Sequence, residues 1–405
     1  MAEIGDKKVA FTADSIDQLP PATPAAPATD PAAVATPTAD PHELPKLKFS
    51  KSDRFIRELR HRVDAYFEQT GRKRRDNPSM YFKTASILAW FVGAYVMLMF
   101  FVHSWWLIVP LAIVLGIAIA AIGFNIQHDG GHKAYSERKW VNKMMSLTLD
   151  LMGGSSYLWD WKHNSIHHTY TNINGHDDDI AVGFLGRLAP GQKRYWFHRV
   201  QGIYLWILYG FLAIKWHFFD DFYNIATGHI GGHKIPRPKG RDLAVFIGGK
   251  VCFFSMAFVI PMLFHPVLAV LAVYAIAAFV SGVVLSVVFQ LAHCVEEADF
   301  PTPVPVPPNG EKIDNEWAIH QVQTTVDFSR ANPVLRWFLG GLNFQIEHHL
   351  FSRICHVHYA QLSKVVEEVC REFGVRYATH KTFWGALASH YRFLVEMGRP
   401  IRPAA

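Results

Sequence analysis

The segment WKHNSIHHTYTNINGHDDD, residues 161–179, holds four histidines beside a run of aspartates. Two other places repeat the concentration: FNIQHDGGHKAY carries His128 and His132, and GLNFQIEHHLF carries His348 and His349. What such a density of imidazole offers is neutral nitrogen donors for metal ions. Histidines four apart on a helix share a face and can hold one ion, while a histidine directly following is turned by about 100° and can reach another. His128, His132, His163, His167, His168, His348 and His349 exceed what one tetrahedral zinc needs, so two ions are the economical reading. Imidazole suits iron, zinc and copper alike, and spacing does not choose among them. A lone histidine is more often a hydrogen-bonded interfacial residue; three clusters on one face are better read as ligands.

Whether they share a face depends on the elements between them. The chain has 405 residues, half of them apolar, and a mean hydropathy of +0.09 despite a long polar N-terminus. The apolar residues are concentrated in 81–102, 107–124, 243–264 and 267–291, paired across turns at 103–106 and 265–266. Each run is about long enough to cross ~30 Å of hydrocarbon as a helix, which predicts two membrane hairpins rather than core helices of a soluble protein. Nine Lys or Arg lie within 51–75, with further clusters at 193–199 and 234–241, and the two tight turns carry none. The positive-inside rule then places both termini, the segment between the hairpins and all three histidine clusters on the cytoplasmic side. The shorter apolar stretches 144–158 and 203–216 suit helices lying at the interface.

Residues 11–45 are mostly Ala, Pro, Thr and Asp and resist a packed core, which predicts a disordered tail over 1–48, an ordered domain over 49–398 and a short C-terminal tail over 399–405. No early apolar core marks a secretory signal. Cys252, Cys294, Cys355 and Cys370 are scattered, fitting a reducing compartment and no zinc motif.

The order HDGGH, HNSIHH, QIEHH, threaded between two apolar hairpins, resembles the membrane fatty acid desaturases, and Gln345 at the head of the third box resembles the front-end (delta-5/delta-6-like) subgroup. FQLAHCVEEADF and EWAIHQVQTT extend the likeness over roughly 49–390. The resemblance implies an all-α polytopic fold, with four transmembrane helices beneath a cytosolic helical cap. It implies two iron ions held by histidine, with O2 and two electrons used to remove two hydrogens from adjacent methylenes of an acyl chain. It carries over His128, His132, His163, His167, His168, His348 and His349 as ligands and adds His293 in QLAHC, with no catalytic residue beyond the ligands. His320 in AIHQ is a second-shell or structural residue on this reading. Asp129, Asn164 and Gln345 are candidates for orienting the ligands. His176 reads as a loop histidine, and Asp177–Asp179 as a solvated turn or helix cap.

The family often carries a fused cytochrome b5 domain with a His-Pro-Gly-Gly motif. No such motif occurs here, so electrons are expected from a separate ferredoxin, or cytochrome b5 with its reductase. Ser352 stands where the family usually has Pro, which predicts a local backbone change. The acyl carrier is left open among coenzyme A, carrier protein and glycerolipid; the bilayer is an expected partner and nucleic acid is not. A bacterial inner membrane is expected, or the endoplasmic reticulum for a eukaryotic source. A related hydroxylase would use nearly the same boxes, a membrane zinc hydrolase would need a carboxylate base, and a metal transporter would place polar groups inside the spans.

Overall fold

The computed structural model describes residues 44–400 other than Asn309. The expected tail falls mostly outside these residues, but its boundary at 48 is corrected: Lys46–Phe49 form a strand. It pairs in parallel with Gly310–Ile313, which in turn pairs antiparallel with Val304–Val306.

Four helices are long and apolar enough to cross a membrane: Pro78–Phe101, Trp105–Gly131, Gly240–Met262 and Val267–His293. They coincide with the four apolar runs, and the rest of the described chain is mostly helical with a few short strands, as an all-α reading requires. Local chemistry sets their ends. The Asn77 side chain accepts a hydrogen bond from Ser79 N at 3.0 Å and Pro78 occupies the first turn, a start that spares helical N–H groups from going unpaired. The second and fourth spanning helices pack closely. A Cβ on Gly116 would stand 2.6 Å from the Ala277 carbonyl oxygen, so a hydrogen at this position is what admits the approach.

The stretch expected as one interfacial helix over 203–216 is broken. Trp196–Tyr209 and Leu212–Thr227 meet at 66°. At the break, Gly210 lies against Phe279 of the fourth spanning helix so tightly that a Cβ would fall 2.2 Å from the ring. The stretch over 144–158 is likewise not one helix but short turns, Lys139–Ser146, Thr148–Leu151 and Ser156–Trp159, interrupted at Gly153 with φ +90°.

The remaining helices form a cap beyond the ends of the spans that carry histidine. Phe55 and Leu59 of Arg54–Thr70 share one buried cluster with Val366 and Val369 of Tyr359–Phe373, Val322 of Trp317–Thr324 and Ile346 of the third box. This core fixes the third box from behind, since Gln345–Leu350 is buried at every position.

Candidate metal centre

The first two boxes are positioned by helices whose regular winding is modified where the histidines begin, and the third lies on the short α-helix Gln345–Leu350. The second spanning helix is α-helical over Trp105–Ile122, widens into a π-turn over Gly123–Gln127, and delivers His128 and His132 at its end. Both side chains project to one side, with ring centroids 4.6 Å apart. The second box lies on a longer π-helical stretch, Asp160–His167. Such widenings concentrate at functional sites because they rotate side chains out of α-helical register.

His163 and His167, four apart, lie close enough to share an ion with Asp179, and the wider turn also brings His163 together with His168, their Nε2 atoms 3.3 Å apart. Nitrogen atoms of His128, His132, His163 and His348 all lie within 4.8 Å of one another, and so do those of His167, His293 and His349. His168 joins His348 and His349 in a third set that lies between the other two. All eight histidines carried over from the sequence therefore converge at one place, and every one is buried. His293 reaches it from the C-terminal end of the fourth spanning helix.

The donor atoms fit metal ions. Nε2 of His132, of His167 and of His348 are buried without a hydrogen-bond partner among the described residues, a costly state unless something accepts their lone pairs. Several opposite ring nitrogens are occupied. His167 Nδ1–H donates to Asp177 at 3.0 Å, and His349 Nδ1–H donates to Gln321 Oε1 at 2.7 Å. The Tyr359 hydroxyl lies 3.4 Å from His348 Nδ1. An imidazole held this way at Nδ1 presents a free Nε2 lone pair inward. Burial, and then the neighbouring imidazoles, hold His132, His168, His348 and His349 well below the usual histidine range, and burial lowers His163. His167 is the exception: burial opposes its charge, but Asp177 and Asp179 outweigh it and raise its pKa. Neutral nitrogen donors are what a divalent ion requires.

Of the two expectations for this run, a solvated turn or a helix cap, Asp177 meets the second, capping the short helix Asp178–Ile180. Its side chain is fully buried, and besides His167 it accepts from Asn172 N at 2.9 Å and Asp179 N at 3.0 Å. Asp178 and Asp179 meet the Lys162 ammonium at 2.9 and 3.3 Å. Burial alone would push Asp179 up, but Lys162 overrides it and holds the carboxylate below its usual range. Gln345 stands with the second set: its amide nitrogen lies 2.9 Å from His293 Nε2 and 3.4 Å from His349 Nε2. Asn164 touches no box histidine. Its amide donates to the Gly131 carbonyl at 3.2 Å, joining the first two boxes through the backbone. Asp129 points away from the cluster and accepts from His356 Nδ1–H at 3.0 Å. His320 is buried against the Phe49 ring and belongs to none of the sets, and His176 pairs with Glu311 at 2.9 Å. Ser352 sits in a half-buried turn after the box.

Gln321, Tyr359 and His356 carried no signature in the sequence, because each reaches the site from a distant segment. Glu347, between Ile346 and His348, is wholly buried beside Asp327, and both carboxyls accept from the Tyr377 hydroxyl, at 3.0 and 2.6 Å. Burial, and then the Asp327 charge, raise Glu347 well above the carboxylate range.

A cavity of about 330 Å³ opens against the cluster, lined there by His128, His163, Trp159 and Gln345. Trp159 lies over His163 at 4.6 Å, and it fits only because residue 131 is glycine: a Cβ there would stand 2.2 Å from the indole. The cavity has a charged side, with Lys162, Asp178, Lys215 and Asp220, and an apolar side running between the spanning helices. A second, apolar cavity of about 140 Å³ shares Ile119, Met152, His217 and Ser281 with it and continues to Val102 and His265 at the tight turns.

Residues 104–381 match the family model described as fatty acid desaturase. The sn-1 linoleoyl-lipid 6-desaturase of Arthrospira platensis is 44% identical over 354 residues, spanning 87% of this chain and 95% of that protein. The enzyme of the same name from Synechocystis sp. is 41% identical over 357 residues, 87% and 98% of the two chains. The acyl-lipid (8-3)-desaturase of Physcomitrium patens is 36% identical over 353 residues, 86% of this chain and 72% of that one.

Proposed function

The chain belongs to the fatty acid desaturase family and is a front-end-like fatty acyl desaturase of the membrane, and on that premise we propose that it introduces a cis double bond near the carboxyl end of an acyl chain carried on a glycerolipid. The names of the relatives from Arthrospira and Synechocystis support position 6 of an already unsaturated C18 chain as the target. The balanced reaction is –CH2–CH2– plus O2, two electrons and two protons giving –CH=CH– and two waters. Two irons would be held by His128, His132, His163 and His348 and by His167, His293 and His349, with His168 within reach of either set, and would supply with O2 the oxidising power that unactivated C–H bonds demand.

The protein's own part is placement and exclusion. Asp177, Gln321 and Tyr359 hold imidazoles by Nδ1, so the inward nitrogens need not reorganise when an ion binds. Gln345 binds metal poorly compared with imidazole and serves to orient His293 and His349. The charged side of the larger cavity suits a headgroup, its apolar side an acyl chain, and Trp159 fixes how the chain passes the ligands. Buried walls keep bulk water from the oxidising site. Electrons come from a separate ferredoxin or cytochrome b5, and the basic segments between the hairpins support a cytoplasmic face for the site, in a bacterial inner membrane.

The observation that carries this reading is the convergence of eight buried histidines, several with unpaired Nε2, against a cavity that is apolar between the spans. Expression in a host of simple lipid content, with supplied linoleate and gas chromatography of the fatty acids, should reveal a new double bond at carbon 6. The His163→Ala, His167→Ala and His348→Ala variants should insert in the membrane yet yield none. An oxygen-containing product would instead identify a hydroxylase, and full activity in these variants would overturn the ligand assignment.

A further inference from the structure

Three segments that lead to or from the metal boxes meet at the surface in one basic patch. Residues 72–75 are Arg-Lys-Arg-Arg. The Arg74 carbonyl accepts from Cys355 N at 3.0 Å, Arg75 Nε donates to the Arg353 carbonyl at 3.0 Å, and Asp76 N donates to the Tyr135 carbonyl at 3.0 Å. These bonds set Arg72 and Lys73 beside Lys133, Arg138 and Arg353, all exposed. Of the acids nearby, Asp64 pairs with Arg74 and Glu137 with Arg75, while the Asp76 carboxylate, held by Tyr81 and Glu137 N, faces the charge of Arg138. Arg72, Lys73, Lys133 and Arg353 form no ion pair among the described residues, so the patch carries an excess of positive charge.

Its position distinguishes it from the chain's other basic clusters. Lys133 directly follows His132, and Arg353 comes four residues after His349. Beneath the patch a short chain of bonded residues leads to the candidate ligands. From Cys355, whose N–H is bonded to Arg74, the next residue His356 donates to Asp129 at 3.0 Å, and Asp129 adjoins His128. Tyr359, three residues on, reaches His348.

We infer that this patch is the docking surface for an acidic one-electron carrier protein. The inference rests on the desaturase reading, which demands two externally supplied electrons per double bond. Electron transfer weakens steeply with distance, so a carrier must seat where the covering layer is thin. Complementary charge raises the rate of encounter and fixes orientation. Each docking event passes one electron from the reduced carrier to the bound metal and releases the oxidised carrier, twice per turnover. Anionic lipid headgroups also attract basic residues at the start of a spanning helix. They have no need of a patch centred on the boxes, and lipid binding is therefore an outcome the test separates.

The full-length, iron-loaded protein in nanodiscs of neutral phosphatidylcholine would be compared with the Arg72→Glu/Lys73→Glu/Arg353→Glu variant, and with Lys193→Glu/Arg199→Glu as a control. Reduced plant-type [2Fe–2S] ferredoxin and soluble cytochrome b5 serve in turn as donors, and dithionite as a donor that needs no docking. The patch variant should raise KM for at least one carrier tenfold or more, flatten its salt dependence, and keep kcat at saturating carrier and dithionite-driven turnover within twofold. The control should match the wild type. An unchanged KM for both carriers, an equal defect in the control, a defect that persists with dithionite or appears only with added anionic lipid, or a wild type driven by dithionite but by neither carrier overturns the proposal. A wild type that forms no double bond even with dithionite would overturn the desaturase reading instead.

Discussion

Asp177 shows how one carboxylate can govern an ion it does not touch. It is buried, accepts from His167 Nδ1, and is itself held by two backbone N–H groups, so His167 can present only its Nε2 to the second set. Asp177→Ala should lower metal affinity by about 10- to 100-fold, the usual cost of losing such a partner. Iron titration of the apo-protein, followed by its absorption, measures this without turnover, and Asp177→Glu should recover part of it. An affinity equal to wild type would show that His167 is oriented by other contacts. Seven of the eight converging histidines were legible because they repeat at short spacings that a sequence displays, whereas His293, alone in its segment, was singled out only by the resemblance. Asp177 was legible as a turn or helix cap, and it does cap a short helix, but only the fold reveals that His167 and Lys162 have turned this run inward.

Elements position these residues through contacts that hydropathy does not report. Lys250 is the one charge in the apolar run 243–264, and it is buried rather than directed to the interface. Its ammonium donates to the Gly153 and Trp216 carbonyls at 2.6 and 3.1 Å and to the Asp221 carboxylate at 2.8 Å. It therefore pins both irregular segments, the turn at Gly153 and the bent helix bearing Trp216 and His217, which line the larger cavity. Lys250→Met leaves Asp221 buried and unpaired, and should lower stability by about 3–5 kcal/mol. Thermal denaturation in detergent measures this, and adding Asp221→Leu should restore most of the loss. The four spans were legible because hydropathy sums over some twenty residues. The π-turns at Gly123–Gln127 and Asp160–His167 were not, since one extra residue in a turn leaves no compositional trace, and so the approach of His168 to His163 was not foreseen.

At the scale of the whole molecule, the spans make two hairpins whose tight turns lie opposite the histidine-bearing ends. A cysteine placed at Ser104 and another at Arg199 should be labelled by an impermeant maleimide from opposite sides of sealed vesicles, with Arg199 on the cytoplasmic side. Labelling of both from one side would refute the two-hairpin arrangement. The four spans and their pairing were legible from the apolar runs and the tight turns between them, whereas the small sheet that joins Lys46–Phe49 to Gly310–Ile313 was not, because pairing over that separation is a property of the finished fold. One further consequence follows from the third box. His348 and His349 are consecutive, yet His348 belongs to the set with His128, His132 and His163 and His349 to the set with His167 and His293, so one peptide unit, whose Cα atoms stand about 3.8 Å apart, ties the two sets together. Breathing of the bilayer or a bulkier lipid can tilt this pair of sets but has little leverage to pull them apart.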